Sequence, residues 1–332
     1  MNTVRWGLLS TANINKRLIP AIRASERGEL VAVASRAPES AAAYAAQWGI
    51  PQAFGDYDAL LASGEVDAVY ISLPNHLHAE WTVRALERGV HVLCEKPFAL
   101  TTADVDRMAA AARANGRVLA EAFMYRHHPQ TKAVGEWVRA GRLGTVRLVR
   151  GVFSFRMTTP GNVRLDPALG GGSLWDVGVY PLSFAQYVFG GPPEWVFGHG
   201  RAGATGVDVA FNGLLSYPNG GLAQIGSSFD LPWYTHVDVL GERGRLSLNR
   251  PFTGLVPGER RLLFTDADDR VEEVPVVEQE LYAGEVDDMH AAILDGAPTY
   301  LSLGETRNHV RTALALYASA QRGERVYVAE IG

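Results

Sequence analysis

Three side chains in this sequence have the chemistry to handle a proton at an oxygen atom. Lys96 stands in Cys94-Glu95-Lys96-Pro97, and Asp176 and Tyr180 stand in Gly170-Gly171-Gly172-Ser173-Leu174-Trp175-Asp176-Val177-Gly178-Val179-Tyr180. A free phenol titrates near ~10 and is a poor base at neutral pH, but a neighbouring ammonium favours its ionised form. Asp176 and Tyr180 are four residues apart, so on a helix they share a face and can meet one small molecule. On type and spacing alone, the commoner arrangement is a helix-start carboxylate beside a packed tyrosine. Pro97 has no backbone donor and helps to end a strand, which presents Lys96 at the carboxyl end of a sheet, where ligands bind.

The elements that must position these groups fall into two textures. From Val4 to about Glu121, short apolar runs (Val4–Leu9, Leu30–Ser35, Ala68–Leu73, Val90–Cys94, Val118–Ala120) alternate with helical periods. Runs that are apolar at nearly every position suit a parallel sheet covered on both faces, built from βαβ units. Gly49, Gly89 and Gly116 sit where helices should stop, and either Thr101 or Thr102 can cap the helix that follows. After about Arg126 a helix over Gln130–Ala140 leads into Val146–Phe155. Then Phe211–Tyr217, Leu222–Phe229, His236–Leu240 and Gly244–Leu248 form a series of antiparallel candidates, with Pro218-Asn219-Gly220-Gly221 as a hairpin turn. Helices at about Glu285–Leu294 and Leu303–Arg322 close the chain. The expected fold is an α/β N-terminal Rossmann-type domain, residues 1–122, plus a C-terminal α+β domain, residues 123–332, with a large open, mainly antiparallel sheet.

A dinucleotide-binding sheet expects G-x-G-x-x-G between its first strand and first helix. Here that stretch reads Ser10-Thr11-Ala12-Asn13-Ile14-Asn15, without glycine at any of the three positions. Small residues still permit close approach to a pyrophosphate, and the Ser10, Thr11 and Asn13 side chains add donors; an ordinary capped βα turn is the equal alternative. The end of the second strand says more. An NAD site wants Asp or Glu there, whereas Ser35-Arg36 offers a hydroxyl and a guanidinium that suit a ribose 2′-phosphate. NADP(H) is therefore expected over NAD(H).

Composition narrows the class. A chain of 332 residues exceeds what one core usually serves, and 47% hydrophobic with 20% charged residues is ordinary globular composition. A net charge of −5 with no basic stripe argues against nucleic acid or an anionic membrane as partner. One cysteine, Cys94, permits no intrachain disulfide, and no signal-like or bilayer-length apolar run is present, so a cytoplasmic protein is expected. His76 and His78, and the adjacent His127 and His128, lack further ligands at zinc spacing, and no metal site is expected.

Leu73-Pro74-Asn75-His76-Leu77-His78 followed by Cys94-Glu95-Lys96-Pro97, together with the glycine-rich run ending at Tyr180, resembles the paired signature of the glucose–fructose oxidoreductase/inositol dehydrogenase/MocA family, essentially end to end. Ser10-Thr11-Ala12-Asn13-Ile14 and Glu121-Ala122-Phe123-Met124-Tyr125-Arg126 look most like its NADP-dependent aldose (xylose-type) dehydrogenases and dimeric dihydrodiol dehydrogenases. The resemblance implies a Rossmann domain, an open-faced sheet used in oligomerisation, and a nicotinamide at the domain cleft lined by Ser72, Leu73, Pro74, Asn75, His78, Glu95 and Lys96. Tyr180, where the inositol dehydrogenases carry His, favours the aldose or dihydrodiol branch. The implied reaction is hydride transfer between nicotinamide and a sugar-like or cyclic polyol carbon. Tyr180 is then the acid/base, Lys96 the group that tunes it, and Asp176 the acceptor that orients a substrate hydroxyl. His76 is a candidate near substrate, Arg164 either reaches a substrate hydroxyl or pairs on the surface, and Trp175, Phe155 and Trp233 are candidates for a sugar-facing wall or for core. A homodimer or higher even oligomer is expected, because one face of an open sheet needs cover. The alternatives are a non-catalytic NADP-binding sensor and an NADPH-dependent anhydro- or keto-sugar reductase.

Overall fold

The computed structural model describes residues 3–253 and 259–332. The chain divides into two compact units, residues 1–127 with 280–306 and residues 128–279 with 307–332. In the first unit, strands β1 (Val4–Leu9), β2 (Gly28–Ala34), β3 (Gln52–Phe54), β4 (Ala68–Ile71), β5 (His91–Glu95) and β6 (Leu119–Ala122) are linked by helices α1 (Asn15–Ala24), α2 (Pro38–Trp48), α3 (Tyr57–Ala62), α4 (His78–Glu87) and α5 (Thr102–Asn115). Every pairing is parallel and the order is β3-β2-β1-β4-β5-β6. This is the doubly wound arrangement in which strand order reverses between β1 and β4, and a crevice opens at the carboxyl ends of those two strands. The near-continuous burial of β1, β2 and β4 follows from their apolar runs. Gly49 and Gly116 adopt the left-handed conformation that ends α2 and α5. Of the two threonines before α5, Thr101 is the cap, its hydroxyl accepting from the Asp104 N–H at 3.1 Å.

The second unit holds α6 (Pro129–Arg139), β7 (Val146–Arg156), α7 (Val179–Phe189), β8 (Trp195–Ala202), β9 (Asp208–Ser216), β10 (Leu222–Ser228), β11 (Asp230–Gly241), β12 (Gly244–Asn249), β13 (Leu262–Asp266) and β14 (Val271–Glu273). After α8 (Ala283–Leu294), which belongs to the first unit, the chain returns through α9 (Leu303–Arg322) to β15 (Val326–Tyr327). The nine-stranded sheet runs β14-β13-β12-β11-β7-β10-β9-β8-β15. It is mainly antiparallel, as expected; Leu222–Ser228 pairs antiparallel with β9 and parallel with β7. Two meanders, β8-β9-β10 and β11 to β14, meet on either side of β7, and strand alternation alone carries no information about which neighbour a meander meets. One face packs on helices. Gly151 on β7 admits Pro181 of α7, since a Cβ there would stand 2.6 Å from the proline Cβ, and at Gly198 on β8 it would stand 2.5 Å from the Leu316 carbonyl of α9.

Residues 280–306, grouped from the sequence with the domain beginning at 123, pack with the first unit. The Trp6 indole N–H of β1 donates to His290 Nε2 of α8 at 2.9 Å, and Ser25 Oγ meets His290 Nδ1 at 3.1 Å. Gly28 leaves room for the imidazole, because a Cβ there would lie 2.8 Å from Cε1.

Candidate functional site

At the β1/β4 crevice, Ser10 and Ser72 stand side by side at the ends of their strands. The two hydroxyls are 2.7 Å apart, Ser72 Oγ donates to Asn15 Oδ1 at 2.6 Å, and Asn15 Nδ2 donates to the Ser10 carbonyl at 2.8 Å. Ser10 has φ 147°, a conformation that suits glycine, and its hydroxyl accepts from the Ala12 N–H at 3.1 Å. A buried Ser10–Ser72–Asn15 network thus holds the turn that the missing glycines would otherwise permit. Ser10, 7% exposed, has its hydroxyl engaged within this network. Thr11, Ala12 and Ile14 are half-buried and Asn13 is exposed along the same turn. No side chain caps the N-terminus of α1 at Ile14, and its first turn carries no acid, so its amide groups and positive dipole end remain suited to a pyrophosphate.

An open cleft of about 220 Å³ is lined by Ser10, Thr11, Ala12, Ser35, Arg36, Ser72, Leu73 and Pro74, with Tyr57 and Leu77 added. The structure therefore brings together eight of the cofactor residues expected from sequence, drawn from three separate strand ends. No carboxylate is among the residues lining this cleft. Arg36 is exposed and lies beside the Tyr57 phenol, whose pKa is raised by burial and partly offset by the guanidinium. Tyr57 was missed; its only local signal is the Asp56 cap, which accepts from Ala59 N–H at 2.9 Å and starts α3 at the cleft. The donor set fits a 2′-phosphorylated dinucleotide: Ser35, Arg36 and Tyr57 for the phosphate, the Ser10–Ile14 turn for the pyrophosphate.

Other expected residues lie behind or beside this cleft. His78 is buried, its Nδ1 2.9 Å from the Pro97 carbonyl and its Nε2 2.8 Å from the Leu73 carbonyl, and burial lowers its pKa. It ties the loop after β4 to the loop after β5 and so shapes the cleft rather than facing it. Asn75 is half-buried and His76 exposed. Glu95 accepts from the Tyr70 hydroxyl and, at 3.2 Å, from the Lys96 N–H, which anchors the backbone of half-buried Lys96 at the end of β5. The Lys96–Pro97 peptide is cis.

In the second unit the glycine-rich run explains itself residue by residue. Gly170 has φ 79°; at Gly171 a Cβ would meet the Arg164 carbonyl oxygen at 2.5 Å; Gly172 has φ 130° and a Cβ there would meet Asp208 Oδ1 at 2.3 Å. The chain then forms a single π-helical turn, Leu174–Gly178, in which Val179 N–H reaches back to the Leu174 carbonyl, before continuing as α7. Such turns are rare and concentrate at functional sites. Asp176 on this turn is buried and accepts from Nε of the exposed Arg164 at 2.7 Å. Tyr180 is buried with its ring against Phe153 and Phe252, centroids 5.3 and 5.4 Å away. Trp175 is buried and packs on Tyr317, centroids 5.7 Å apart, while half-buried Phe155 packs on Phe229 at 5.3 Å. Trp233 is exposed beneath the Arg250 guanidinium at 4.6 Å. Asp208 was not singled out from sequence; it stands 35 residues from Ser173 and carries no local pattern.

A family model for an oxidoreductase family with an NAD-binding Rossmann fold matches residues 4–123, and the GFO/IDH/MocA C-terminal domain model matches residues 131–247. The chain belongs to the GFO/IDH/MocA oxidoreductase family. It is 40% identical over 326 residues to D-xylose 1-dehydrogenase (NADP(+)) 2 of Haloferax volcanii, covering 97% of this chain and 98% of that one. Among solved structures it resembles an aldose-aldose oxidoreductase from Caulobacter crescentus complexed with glycerol, with TM-score 0.90, 27% identity and coverage of 98% and 99%. It also resembles a 3-ketoreductase from Actinomadura kijaniata, crystallised as a tyrosine-to-phenylalanine variant with TDP-benzene and NADP, with TM-score 0.89, 31% identity and coverage of 96% and 98%. The GFO/IDH/MocA fold, with its parallel sheet of six strands and mainly antiparallel sheet of nine, is as expected.

Proposed function

We propose that this GFO/IDH/MocA protein is an NADP(H)-dependent oxidoreductase acting on a CH–OH or carbonyl carbon of a sugar-like or cyclic polyol substrate. The observation that carries this is the cleft at the β1/β4 crevice, where Ser35, Arg36 and Tyr57 meet with no carboxylate among the lining residues. With the 2′-phosphate held by Ser35, Arg36 and Tyr57, the nicotinamide of a bound NADP(H) would accept or supply the hydride. In the oxidative direction the substrate carbinol loses a hydride and a proton and becomes a carbonyl; in the reductive direction both return. Tyr180 takes or gives that proton at the substrate oxygen, Lys96 favours its phenolate, and Asp176 accepts a hydrogen bond from a substrate hydroxyl while Arg164 holds its carboxylate. The reading requires Lys96 and Tyr180 to act on one substrate. The 3-ketoreductase relative has been crystallised with a lysine changed to alanine or glutamate and with a tyrosine changed to phenylalanine, the two residue types that this reading pairs. Named relatives that are enzymes favour catalysis over a sensor role. The same residues serve a keto-sugar reductase by microscopic reversibility, and cytoplasmic action belongs to this proposal.

The test is a panel of aldoses, inositols, keto-sugars and trans-dihydrodiols assayed with NADP(H) and NAD(H) in both directions. NADP-linked turnover on a sugar or polyol is expected; absence of nicotinamide absorbance change across the panel would overturn the reading.

A further inference from the structure

The residues proposed to handle substrate, Asp176 and Tyr180, sit on and just after one π turn. An α-helix advances about 100° per residue, so rewinding that turn by one residue would swing both side chains away from their present directions. Something must hold the turn. Asp208, at the start of β9, accepts at Oδ2 from the Ser173 hydroxyl at 2.7 Å and from the Leu174 N–H at 2.8 Å, the first amide of the turn. Its Oδ1 accepts from the Tyr317 hydroxyl of α9 at 2.7 Å. Ser173 Oγ lies 3.0 Å from Ser227 Oγ on β10, and Gly178 presses the far end of the turn on the same strand, since a Cβ there would meet Ser227 Oγ at 3.0 Å and Leu174 Cδ1 at 2.8 Å. Gly172 has no Cβ where the Asp208 carboxylate enters. A carboxylate supplied from 35 residues away thus does what a local cap does elsewhere, satisfying the opening amide and facing the positive end of the helix dipole.

We propose that Asp208, braced by Tyr317, is a positioning residue for proton transfer: it clamps the opening of the π turn so that Asp176 and Tyr180 are held in register with substrate. The inference rests on Tyr180 being the proton-transferring group. Asp208→Asn removes the negative charge that faces the turn and replaces one of the two carboxylate acceptors by an amide donor. Tyr317→Phe keeps the ring that packs on Trp175 and Phe211 and removes only the brace.

The experiment measures kcat, NADPH Kd and thermal midpoint for Asp208→Asn and Tyr317→Phe, each alone and combined with Tyr180→Phe. A displaced reacting group costs up to about a hundredfold in rate. Asp208→Asn should lower kcat by roughly tenfold to a hundredfold and Tyr317→Phe by a smaller factor, with NADPH Kd changed by less than about twofold. On the Tyr180→Phe background both effects should shrink to under about threefold, because the group being positioned is gone. If Asp208→Asn does not fold, Tyr317→Phe carries the same comparison. Equal losses with and without the Tyr180 hydroxyl, or losses that only track the folded fraction, would overturn the clamp. If Tyr180→Phe alone leaves turnover intact, the proposed chemistry falls first, and the clamp with it.

Discussion

Arg36 is the residue on which we expect cofactor choice to turn. Its guanidinium stands at the end of β2 beside Tyr57, in a cleft where a carboxylate would repel a 2′-phosphate. A hydrogen bond to a charged group contributes about 1.5–3 kcal/mol, so Arg36→Asp should weaken NADPH binding by roughly tenfold to a hundredfold or more and turn the kcat/KM preference toward NADH. Comparable kcat/KM with both cofactors in the native enzyme would contradict this. At Tyr180, replacement by Phe keeps the packing on Phe153 and Phe252 and deletes the hydroxyl. Turnover should fall on the order of a hundred- to ten-thousand-fold with NADPH affinity little changed. Lys96→Met should slow turnover and move the rising limb of the oxidation pH profile to higher pH, since loss of an ammonium makes the phenol harder to ionise. Near-native turnover of Tyr180→Phe would end this mechanism. Residue types at strand ends were legible because position after a strand restricts what a side chain can meet: Ser35, Arg36, Ser72 and Pro74 all reach the cleft. Asp208 and Tyr57 were not, because their roles depend on tertiary proximity that no local spacing records.

At the scale of the element, α8 shows where legibility stops. Its helical period was readable, but its partner was not, since the Trp6–His290 bond joins residues 284 positions apart. Two groups on α8 should also contribute to the pH dependence of stability, in opposite directions. Burial lowers the His290 pKa from 6.5 to about 4, with Arg27 adding to the effect. Its folded value lies below its unfolded one, so the stability it contributes is present above pH 6.5 and is lost as pH falls through that window toward about 4. Glu285 is 1% exposed, and both carboxyl oxygens are buried without a hydrogen-bond partner. Burial first, then Glu95, Glu280 and Asp288, hold its pKa well above the ordinary value. Its folded value lies above its unfolded one, so its contribution is full below the ordinary carboxylate range and is lost as pH rises from there toward the raised value. Denaturant unfolding as a function of pH should therefore show a shallower acid-side loss in His290→Gln and a shallower loss with rising pH in Glu285→Gln. Parallel pH profiles for native and variant proteins would refute the assignment.

For the whole molecule, the nine-stranded sheet raises the question of what covers its second face. Odd-numbered residues of β7, β9 and β11 such as Val149, Phe153, Leu215 and Val237 are buried on the helix-covered side. Leu148, Val152, Leu214 and Leu240 on the other side are only half-buried, while Phe197 and Leu222 are exposed at 41% and 38%. In register, Phe197 stands opposite Leu214, and Leu222, Leu148 and Leu240 stand side by side, so this face carries an interrupted apolar band, one part on β8 and β9 and one across β10, β7 and β11, with Ser216 and Gln224 as the polar register partners where the two parts meet. An antiparallel sheet can leave one face in water, but that face is then predominantly polar, and exposed apolar groups gathered on it suit a contact surface. The occupant we expect is the same face of a second copy, because closed two-fold association places each band against an identical one and leaves neither exposed. Light scattering at micromolar concentration should give a dimer or a higher even oligomer. Replacing both Leu148 and Leu214 by Lys sets like charges near the middle of that contact, so it should shift the mass toward monomer, while NADPH binding at the β1/β4 crevice of the first unit persists. A native protein that is monomeric at that concentration would show that the band has another use.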